Sequence, residues 1–293
     1  MISVVITTYK REMPILRRAI ETVLKQTEKD IELIVVNDYP EYDVLIRELM
    51  KEYPSVCYFS HKERQGACKA RNDGIAAANG GYIAFLDDDD EWEANKLEKQ
   101  KKIMEESGAD FVYCTGRTIN DITGEYSPME FIHECRSNDY IREMLKGNFM
   151  GGCSFPLIKK SVLDQLEGFD LDMPASQDYE LWLRICKNYK ISYLNEPLVI
   201  YHVGNDAITT NPERRIKGFS LLCEKHQDVF RKYPKEAATF YRTIVWTAVF
   251  TGRKDLLATA ENMLHLKRTE FVKLKAYEII ITAKMSLKKL LTK

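Results

Sequence analysis

The stretch Tyr82-Ile83-Ala84-Phe85-Leu86-Asp87-Asp88-Asp89-Asp90 joins an apolar run directly to four consecutive carboxylates. The unbroken apolar run after Gly80-Gly81 predicts a strand that is buried on both faces, as in a parallel sheet. Four neighbouring negative charges repel one another, so we expect a positive partner here. The carboxyl ends of strands in an open α/β sheet bind ligands, and carboxylate oxygens suit Mg²⁺ or Mn²⁺. The alternative is an acidic turn that caps a helix beginning near Glu93 or Ala94, and the pattern leaves both interpretations open.

Composition limits the class of protein. The 293 residues can form one large domain with an appendage, or two small domains. With 45% hydrophobic and 30% charged residues, the sequence is typical of a folded globular protein. The formal net charge of −1 provides no overall basic field, so we do not expect nucleic acid as a partner.

The cysteine count and the amino terminus bear on the compartment. The seven cysteines are odd in number and form no Cys-x-x-Cys pair, which indicates buried thiols in a reducing cytosol. No charged and then apolar leader precedes Ile2, and no apolar stretch has the length needed to span a bilayer. We therefore expect a cytoplasmic protein that is neither secreted nor transmembrane.

The C-terminal segment concentrates positive charge. Residues 267–293 hold eight Lys or Arg and two Glu. From Phe271 to Lys293 the charges are mixed with apolar residues, a combination typical of helices that lie at a membrane surface. The two kinds of residue are poorly segregated on a helical wheel. An ordinary packed helix is therefore the alternative to a weak peripheral contact with the inner membrane face.

Apolar periodicity predicts alternating strands and helices through the first 115 residues. The strands are predicted at 2–8, 31–36, 56–60, 82–86 and 111–115, and the helices at 13–26, 44–50, 67–79 and 97–104. Such alternation is typical of βαβ units, so we expect an α/β fold with a mostly parallel sheet and helices on both faces. This architecture commonly binds nucleotides.

The alternation fades after residue 116. A loop-like region is predicted at 117–137, helices at 139–145 and 177–187, and strands at 153–158, 191–194 and 198–202. From residue 213 onward the pattern predicts several helices. We therefore expect a first domain over 1–211, with halves at 1–116 and 117–211, and a C-terminal helical subdomain over 212–293.

Two common nucleotide-binding motifs are missing. After the first strand the chain reads Thr7-Thr8-Tyr9-Lys10-Arg11 instead of Gly-x-Gly-x-x-Gly, which argues against a dinucleotide-dependent dehydrogenase. No Gly-x-x-x-x-Gly-Lys-Ser/Thr occurs, which argues against a P-loop enzyme, and a nucleotidyltransferase would need a glycine-rich phosphate loop. Carboxylates stand instead at predicted strand and helix ends, at Asp38, Asp87 to Asp90, and Asp178.

Six motifs follow one another in a defined order. They are SVVITTYKRE (3–12), ELIVVND (32–38), GACKARNDGI (66–75), YIAFLDDDDEW (82–92), EGFD (167–170) and QDYELWLR (177–184). Together they resemble the inverting family 2 glycosyltransferases of the GT-A fold, of the bacterial cell-surface polysaccharide type, over residues 2–211. The resemblance implies a GT-A domain with a C-terminal helical extension.

The resemblance also implies roles for the matching residues. Residues at the ends of the first two strands would line the nucleotide site, namely Thr8, Tyr9, Arg11 and Asp38. Asp38 would accept a hydrogen bond from the imide N–H of uracil. Asp87, Asp88 and Asp89 would form the DxD element, in which Asp87 and Asp88 belong to the nucleotide site and Asp89 is the direct ligand of Mn²⁺ or Mg²⁺. Asp178 would be the general base.

These roles are chemically consistent with sugar transfer. A nucleoside diphosphate gains negative charge as the glycosidic bond breaks, and a divalent cation between carboxylate and phosphate oxygens stabilises that charge. The acceptor hydroxyl must lose a proton as it attacks the anomeric carbon from the opposite face. Asp178 is expected in the first turn of a helix, whose positive end favours the ionised carboxylate. The alternative is that Asp178 only stabilises that helix.

Three further residues have two interpretations each. His202, followed by Gly204, Asn205 and Asp206, resembles the family's loop that closes over the diphosphate, and it would ligate metal or bind phosphate; a hydrogen-bonded loop histidine is the alternative. Lys69 and Arg71 would face the phosphates, or they would be solvated helix side chains.

Two positions depart from the family's pattern. The chain has Asn37-Asp38-Tyr39-Pro40 where the family usually has Asp-Asp-Gly-Ser, so the contacts with the nucleobase and the ribose are expected to differ there. Gln177 stands where a Glu usually precedes the general base, so Asp178 lacks the family's acidic neighbour. The expected function is transfer of a sugar from a nucleotide-sugar donor, a UDP-sugar, to a hydroxyl of a glycan or lipid-linked acceptor. The alternative is a non-catalytic module that binds sugar nucleotides or glycans.

Overall fold

A computed structural model describes residues 1–203, 211–250, 276–277 and 279–280 of the chain. The chain divides into two compact units. The first comprises Met1–Glu134, Phe149–Leu171 and Asp178–Asn205, and the second comprises Cys135–Asn148, Asp172–Gln177 and Asp206–Lys293. The second unit thus includes two segments from within the range 1–211, and a domain boundary at residue 211 stays a prediction.

The first unit is built on a nine-stranded sheet, and the amino-terminal part of that sheet is parallel. Its elements are β1 (Ile2–Thr8), α1 (Met13–Leu24), β2 (Ile31–Asn37), a 3₁₀ turn (Pro40–Tyr42), α2 (Asp43–Met50), β3 (Cys57–Ser60), α3 (Ala67–Ala77) and β4 (Tyr82–Asp87). The strands lie in the order β3-β2-β1-β4. Nearly every residue of β1 and β4 is buried, as their continuous apolar runs predict.

The register of these strands brings their carboxyl ends to one edge of the sheet. Thr8 pairs with Asn37, and Thr7 pairs with Asp87. The residues that follow β1, β2 and β4 therefore emerge together. The sheet edge that the sequence indicates as a ligand site is formed in this way.

The second half of the sheet is mixed. The chain continues with β5 (Glu91–Trp92), α4 (Lys96–Ser107), β6 (Phe111–Asn120), β7 (Tyr126–Pro128), α5 (Tyr140–Met144), β8 (Pro156–Lys159), α6 (Lys160–Gln165), α7 (Gln177–Asn188) and β9 (Ile191–Val203). Strand β8 lies antiparallel between β4 and β6, and β9 runs parallel to β6. The α/β class with a mostly parallel sheet is confirmed, with an antiparallel insertion that the alternation does not predict.

Two local predictions are wrong. The region 117–137 is not simply a loop, because β6 continues to Asn120 and returns as β7 through a turn in which Gly124 has a φ of +72°. The two strands expected at 191–194 and 198–202 are one strand, β9. Its pairing with β6 shifts register beside Thr115, where Pro197 has no N–H to donate.

Helix α3 packs closely against β1. A Cβ atom at Gly74 would overlap the side chain of Val5, so the absence of a side chain at this position permits the approach. The close contact fixes α3 relative to the end of β1. Lys69 and Arg71, near the amino terminus of α3, are thereby set at the edge of the sheet where the strands end.

The second unit is helical in its described part. It contains α5 together with α8 (Pro212–Lys225), α9 (Gln227–Lys232) and α10 (Pro234–Phe250). Its aromatic contacts join Phe219, Phe230, Phe240 and Tyr241. Nε of Arg142 on α5 donates to Oε1 of Glu236 on α10 at 2.7 Å. Most of the basic segment Phe271–Lys293 lies outside the described residues, and among those that are described no helix has the length and apolar character to cross a bilayer.

Candidate active site

The carboxylate run after β4 is paired with two arginines. Arg71 of α3 donates to Oδ1 of Asp87 at 2.9 Å. Arg11, in the loop after β1, donates from Nε to Oδ1 of Asp88 at 2.9 Å and from Nη2 to Oδ2 of Asp89 at 2.7 Å. The chain itself therefore supplies the positive partner that the sequence predicts for these three residues.

Burial makes the charges on these aspartates costly. It raises the pKa of Asp88, against the opposing charge of Arg11. Burial and the neighbouring Asp88 raise the pKa of Asp89 to about 6. The Asp88 side chain is only 8% exposed, whereas that of Asp89 is 37% exposed. Asp89 is therefore the more accessible of the two for an incoming ligand.

Asp90 has a structural role that the sequence did not indicate. Its carboxylate is buried, accepts from Oγ of Ser154 at 2.6 Å, and accepts from the backbone N–H of His202 at 3.3 Å. Ser154 in turn accepts from the backbone N–H of Asp87 at 3.1 Å. These contacts hold the end of β4 against β9. Because Trp92 is buried and donates to the carbonyl of Ser154 at 2.8 Å, it belongs to the same packed region.

The metal-ligand role expected of His202 stays a prediction, and its two ring nitrogens lie against carboxylates. Its Nε2 lies 2.9 Å from Oε1 of Glu91, and its Nδ1 lies 2.5 Å from Oδ1 of Asp121. Both ring nitrogens are therefore engaged by carboxylates, and a metal would have to displace one of them. The residues expected to follow it in a diphosphate loop, Gly204, Asn205 and Asp206, lie outside the described part of the chain.

A divalent cation fits this edge only if a bound ligand supplies some of the oxygens that coordinate it. Within the described ranges, no group of three or more His, Cys, Asp or Glu side chains is arranged to hold a metal by itself. Mg²⁺ sites commonly use one or two carboxylates together with substrate phosphates and water. Asp89, partly exposed and beside Asp88, fits such a shared site. The residues thus suit a metal that arrives with a diphosphate.

A cleft of about 660 Å³ opens beside the end of β1. It is lined by Tyr9, Lys10, Tyr39, Pro40, Glu41, Lys62, Glu63 and Arg64. The Tyr9 and Tyr39 rings meet edge to face with centroids 5.3 Å apart, and the guanidinium of Arg64 lies 4.6 Å from the Tyr9 ring centroid. Aromatic surface bordered by cations suits a planar base that carries phosphates.

Of the four residues expected to line the nucleotide site at the ends of the first two strands, only Tyr9 lines this cleft. Thr8 is buried, and its carbonyl accepts from the backbone N–H of Asp38 at 2.9 Å. Arg11 lies at the carboxylates instead. The φ of +56° at Lys10 turns the chain between Tyr9 and Arg11, so that neighbouring residues serve two different places.

The Asp38 carboxylate is used within the chain. Its Oδ1 accepts from the backbone N–H of Gln65 at 2.6 Å and lies 2.8 Å from Nδ1 of His61, while Oδ2 accepts from the N–H of Gly66 at 2.8 Å. The side chain is 5% exposed. The expected contact with uracil stays a prediction, and the observed contacts organise the loop that precedes α3.

The hydrogen bonds of Asn37 explain why an amide stands where the family usually has an Asp. Its Nδ2 donates to the carbonyl of Tyr39 at 2.8 Å and to Oγ of Ser60 at 3.0 Å, and its Oδ1 accepts from the N–H of Tyr39 at 3.0 Å. An aspartate could accept but could not donate. Asn37 therefore sets the path of the chain that carries Tyr39 into the cleft.

Lys69 and Arg71 have separate environments. Lys69 forms an ion pair with Asp73, one turn further along α3, and Asp73 lies 3.0 Å from Nε2 of His61. Arg71 is largely buried, and its guanidinium lies 5.4 Å from the centroid of Phe169. Arg71 is therefore not a solvated helix side chain, whereas Lys69 is 40% exposed and pairs within its own helix, so that alternative stays open for it. Arg71 belongs to the carboxylate edge, and Lys69 belongs to the contacts around Asp38.

The electrostatics of Asp178 combine burial with the helix end that the sequence predicts. Burial raises the pKa of Asp178, and it outweighs the hydrogen bond from the backbone N–H of Tyr179 at the helix N-terminus, which favours the ionised form as expected. The negative charge of Asp87 raises the pKa further. The charge of Arg71 acts in the opposite direction. Asp178 therefore lies within electrostatic reach of the Arg71–Asp87 pair, and a raised pKa brings a carboxylate closer to the range suited to a general base.

Comparison with known proteins identifies the family. The sequence profile described as Glycosyl transferase family 2 matches residues 3–167. The chain belongs to glycosyl transferase family 2. This confirms the resemblance carried by the six motifs.

Relatives of this family 2 transferase include several from bacteria. The Escherichia coli UDP-Glc:alpha-D-GlcNAc-diphosphoundecaprenol beta-1,3-glucosyltransferase WfgD is 29% identical over 222 residues, which cover 74% of this chain and 83% of the relative. The putative teichuronic acid biosynthesis glycosyltransferase TuaG of Bacillus subtilis is 31% identical over 207 residues, covering 68% and 77%. The putative colanic acid biosynthesis glycosyl transferase WcaA of Escherichia coli is 29% identical over 255 residues, covering 82% and 86%.

Solved structures share the fold of the family 2 transferase. S. aureus TarS 1-349 in complex with UDP-GlcNAc has a TM-score of 0.68 at 14% identity, covering 96% of this chain and 89% of that one. The mannosyltransferase PcManGT from Pyrobaculum calidifontis, in complex with GDP-Man and Mn²⁺, has a TM-score of 0.63 at 18% identity, covering 97% and 86%. The GT-A fold expected from the motifs is confirmed.

Sequence reasoning missed three residues of this site. His61 contacts Asp38, Ser154 joins Asp87 to Asp90, and Tyr201 lies near the carboxylates, where burial and the charge of Asp90 raise the pKa of its phenol. His61 and Ser154 fall in no motif that carries the resemblance. Tyr201 directly precedes His202 at the end of a predicted strand, and its position beside His202 was the available signal.

Proposed function

We propose that this family 2 transferase moves a sugar, with inversion at the anomeric carbon, from a UDP-sugar to a hydroxyl of a glycan or lipid-linked acceptor. The observation that carries the proposal is the position of a half-buried carboxylate, Asp178, within electrostatic reach of the Arg71–Asp87 pair at the carboxylate edge. A base and a diphosphate-binding edge are the two parts that this reaction requires. The names of the relatives support a role in making cell-surface polysaccharide.

The donor and acceptor classes draw support from individual relatives. WfgD is named for a UDP-Glc donor and a diphosphoundecaprenol-linked acceptor, and TarS was solved with UDP-GlcNAc. In this chain the cleft beside Tyr9 and Tyr39 would take the base. The nearby carboxylate edge, with Arg11 and Arg71, would take the diphosphate.

The leaving group is stabilised at Asp89, Arg11 and Arg71. A divalent cation, Mn²⁺ or Mg²⁺, held by Asp89 and the diphosphate oxygens would neutralise the charge that develops on the departing nucleotide. Arg11 donates to two neighbouring carboxylates and can turn its guanidinium toward phosphate, for which its planar fork is suited. Arg71, held by Asp87, provides a second fixed positive charge.

Asp178 acts on the acceptor. As the acceptor oxygen forms its bond to the anomeric carbon, the bond from that carbon to the diphosphate oxygen breaks on the opposite face. The hydroxyl proton passes to a carboxylate oxygen of Asp178, and the nucleoside diphosphate leaves with the electron pair. The burial that raises the pKa of Asp178 also raises its affinity for this proton.

The test is release of UDP from UDP-sugars with and without a lipid-linked glycan acceptor. A thermal-shift screen of nucleotide sugars with Mn²⁺ identifies the donor first, because a ligand that binds the folded state stabilises it. We expect acceptor-dependent UDP release that falls by about 10²-fold or more in Asp178→Asn. Donor binding without any UDP release would instead indicate the non-catalytic binding module.

A further inference from the structure

The loop of residues 61–66 begins and ends on one carboxylate. Nδ1 of His61 lies 2.8 Å from Oδ1 of Asp38 at the start of the loop. The backbone N–H groups of Gln65 and Gly66 donate to Oδ1 and Oδ2 of the same side chain at 2.6 and 2.8 Å. Asp38 therefore holds both ends of the loop, and we call its contacts with His61, Gln65 and Gly66 the Asp38 clasp. Its own position is fixed at β1, where its N–H donates to the carbonyl of Thr8 at 2.9 Å.

The residues between the two ends of the loop form one wall of the cleft. Lys62, Glu63 and Arg64 are exposed and line it, and Arg64 lies over the face of Tyr9. Neither His61 nor Asp38 is among the cleft-lining residues. The position of this wall therefore depends on a contact made behind it. The clasp is a charge-assisted hydrogen-bond set, which is stronger than contacts between neutral groups.

His61 is itself held from both sides. Its Nε2 lies 3.0 Å from Oδ2 of Asp73 on α3, and Asp73 is paired with Lys69. Each of the two ring nitrogens thus lies against a different carboxylate. The His61 side chain is 10% exposed. It joins α3 to the end of β2 and fixes the direction from which Asp38 is approached.

We propose that His61 is a positioning residue for donor recognition, which acts on the nucleotide only by holding the Asp38 clasp that places the 61–66 loop. The inference rests on the proposed function, because the ligand it takes for the cleft is a nucleoside diphosphate. It also gives Asp38 a role in placing the loop wall, beside the contact with uracil that the resemblance implies.

Two conservative substitutions separate the two contacts of His61. In His61→Asn the side-chain nitrogen occupies nearly the place of Nδ1 and keeps the bond to Asp38. In His61→Gln the nitrogen reaches toward the place of Nε2, keeping Asp73 and losing Asp38. Each variant loses the ring and one of the two contacts. They are therefore matched controls for each other.

The measurements are UDP titration with Mn²⁺ by calorimetry, amide hydrogen exchange at Gln65 and Gly66, and the melting temperature. We expect His61→Gln to weaken UDP binding by about tenfold or more and to speed exchange at both amides, since a buried charged hydrogen bond is lost. His61→Asn should bind UDP within about threefold of the parent and keep slow exchange.

Equal UDP affinities in the two variants, or equal exchange at Gln65 and Gly66, would overturn the inference and leave His61 a purely structural residue. If the parent binds no nucleoside diphosphate, the proposed function fails, and exchange at the two amides still decides whether His61 holds the clasp. Should His61→Gln not fold, Asp38→Asn replaces it. In that variant an NH₂ group replaces one of the two carboxylate oxygens, so either Gln65 or Gly66 loses its acceptor, and exchange at that amide must rise.

Discussion

Nη2 of Arg11 lies 2.7 Å from Oδ2 of Asp89. This ion pair occupies the carboxylate that the family resemblance makes the metal ligand. A cation that binds Asp89 must therefore share it with Arg11 or replace Arg11 there. A diphosphate would give the released guanidinium a new partner, so metal and nucleotide are expected to bind as a coupled pair.

Replacing Asp89 by Asn tests this coupling. The substitution removes a negative charge from a site for a hard cation, so the affinity for UDP in the presence of Mn²⁺ should fall about tenfold or more, roughly 1.4 kcal/mol. Calorimetric titration with and without Mn²⁺ measures it. Asp164→Asn, which changes an exposed aspartate paired with Lys160, is the control. An unchanged Mn²⁺-dependent affinity would remove Asp89 from the metal site.

Asp178→Asn should slow transfer strongly while leaving donor binding intact. Its carboxylate is needed only when the acceptor hydroxyl loses a proton, so turnover should fall by about 10²-fold or more. UDP affinity should hardly change. If Asp178 merely stabilised α7, the variant would instead lose about 0.3–1 kcal/mol of stability and keep its turnover. Melting temperature, UDP titration and sugar transfer on one preparation separate the two outcomes.

Lys96 gives the protein a pH-dependent stability that is independent of catalysis. Burial lowers the pKa of Lys96 from 10.5 to about 8 in the folded chain. Between these two values the unfolded chain binds the extra proton, so the free energy of unfolding rises with pH across this window, by up to about 3 kcal/mol. Below pH 8 the cost of the buried charge is fully present. It is reduced by Gln100, which accepts from Nζ at 2.8 Å, and by Trp92, whose ring centroid lies 4.0 Å from Nζ.

Lys96→Met should remove the rise of the free energy of unfolding with pH. The matched control is Lys102→Met, which makes the same change at an exposed position on α4 and should keep that rise. Urea unfolding at several pH values between 7 and 11 compares the two. Parallel stability curves for the two variants would contradict the assignment of the rise to Lys96.

Asn37→Asp restores the family's usual residue and should nevertheless destabilise this chain. The carboxylate cannot donate to the carbonyl of Tyr39 or to Ser60, and it places a negative charge beside that carbonyl. A loss of about 1–3 kcal/mol is expected from the unsatisfied buried groups. Thermal and urea unfolding measure it. Asn195→Asp is the control, because Asn195 is exposed and accepts from Tyr193, a contact that aspartate retains.

The sequence predicted the parts of this protein that depend on local pattern. Continuous apolar runs located β1 and β4, and helical periodicity located α1 and α3, so the sheet edge and its carboxylates followed. The antiparallel direction of β8 did not follow, because four residues carry no signal of which neighbours they pair with.

The roles of individual side chains were predictable only where their partners are near in the chain. The effect of burial on Asp178 depends on elements distant in sequence, and it outweighs the helix end that the sequence reveals. The hydrogen bonds of Asp38 with His61 and Gln65 likewise form only when β2 and the loop before α3 meet. The nucleotide role of Arg11 stays a prediction, but its contacts with carboxylates 77 and 78 positions further along the chain could not be predicted from local pattern.

The insertion of β8 between β4 and β6 has a consequence for synthesis of the chain. Until Lys159 has left the ribosome, β8 cannot pair with β4 or β6. The strand edges that β8 will cover therefore keep unpaired backbone N–H and C=O groups. Exposed strand edges of this kind invite pairing with other chains. A nascent chain that stalls between residues 120 and 155 is therefore expected to be prone to aggregation. Fast translation of that interval would reduce this risk.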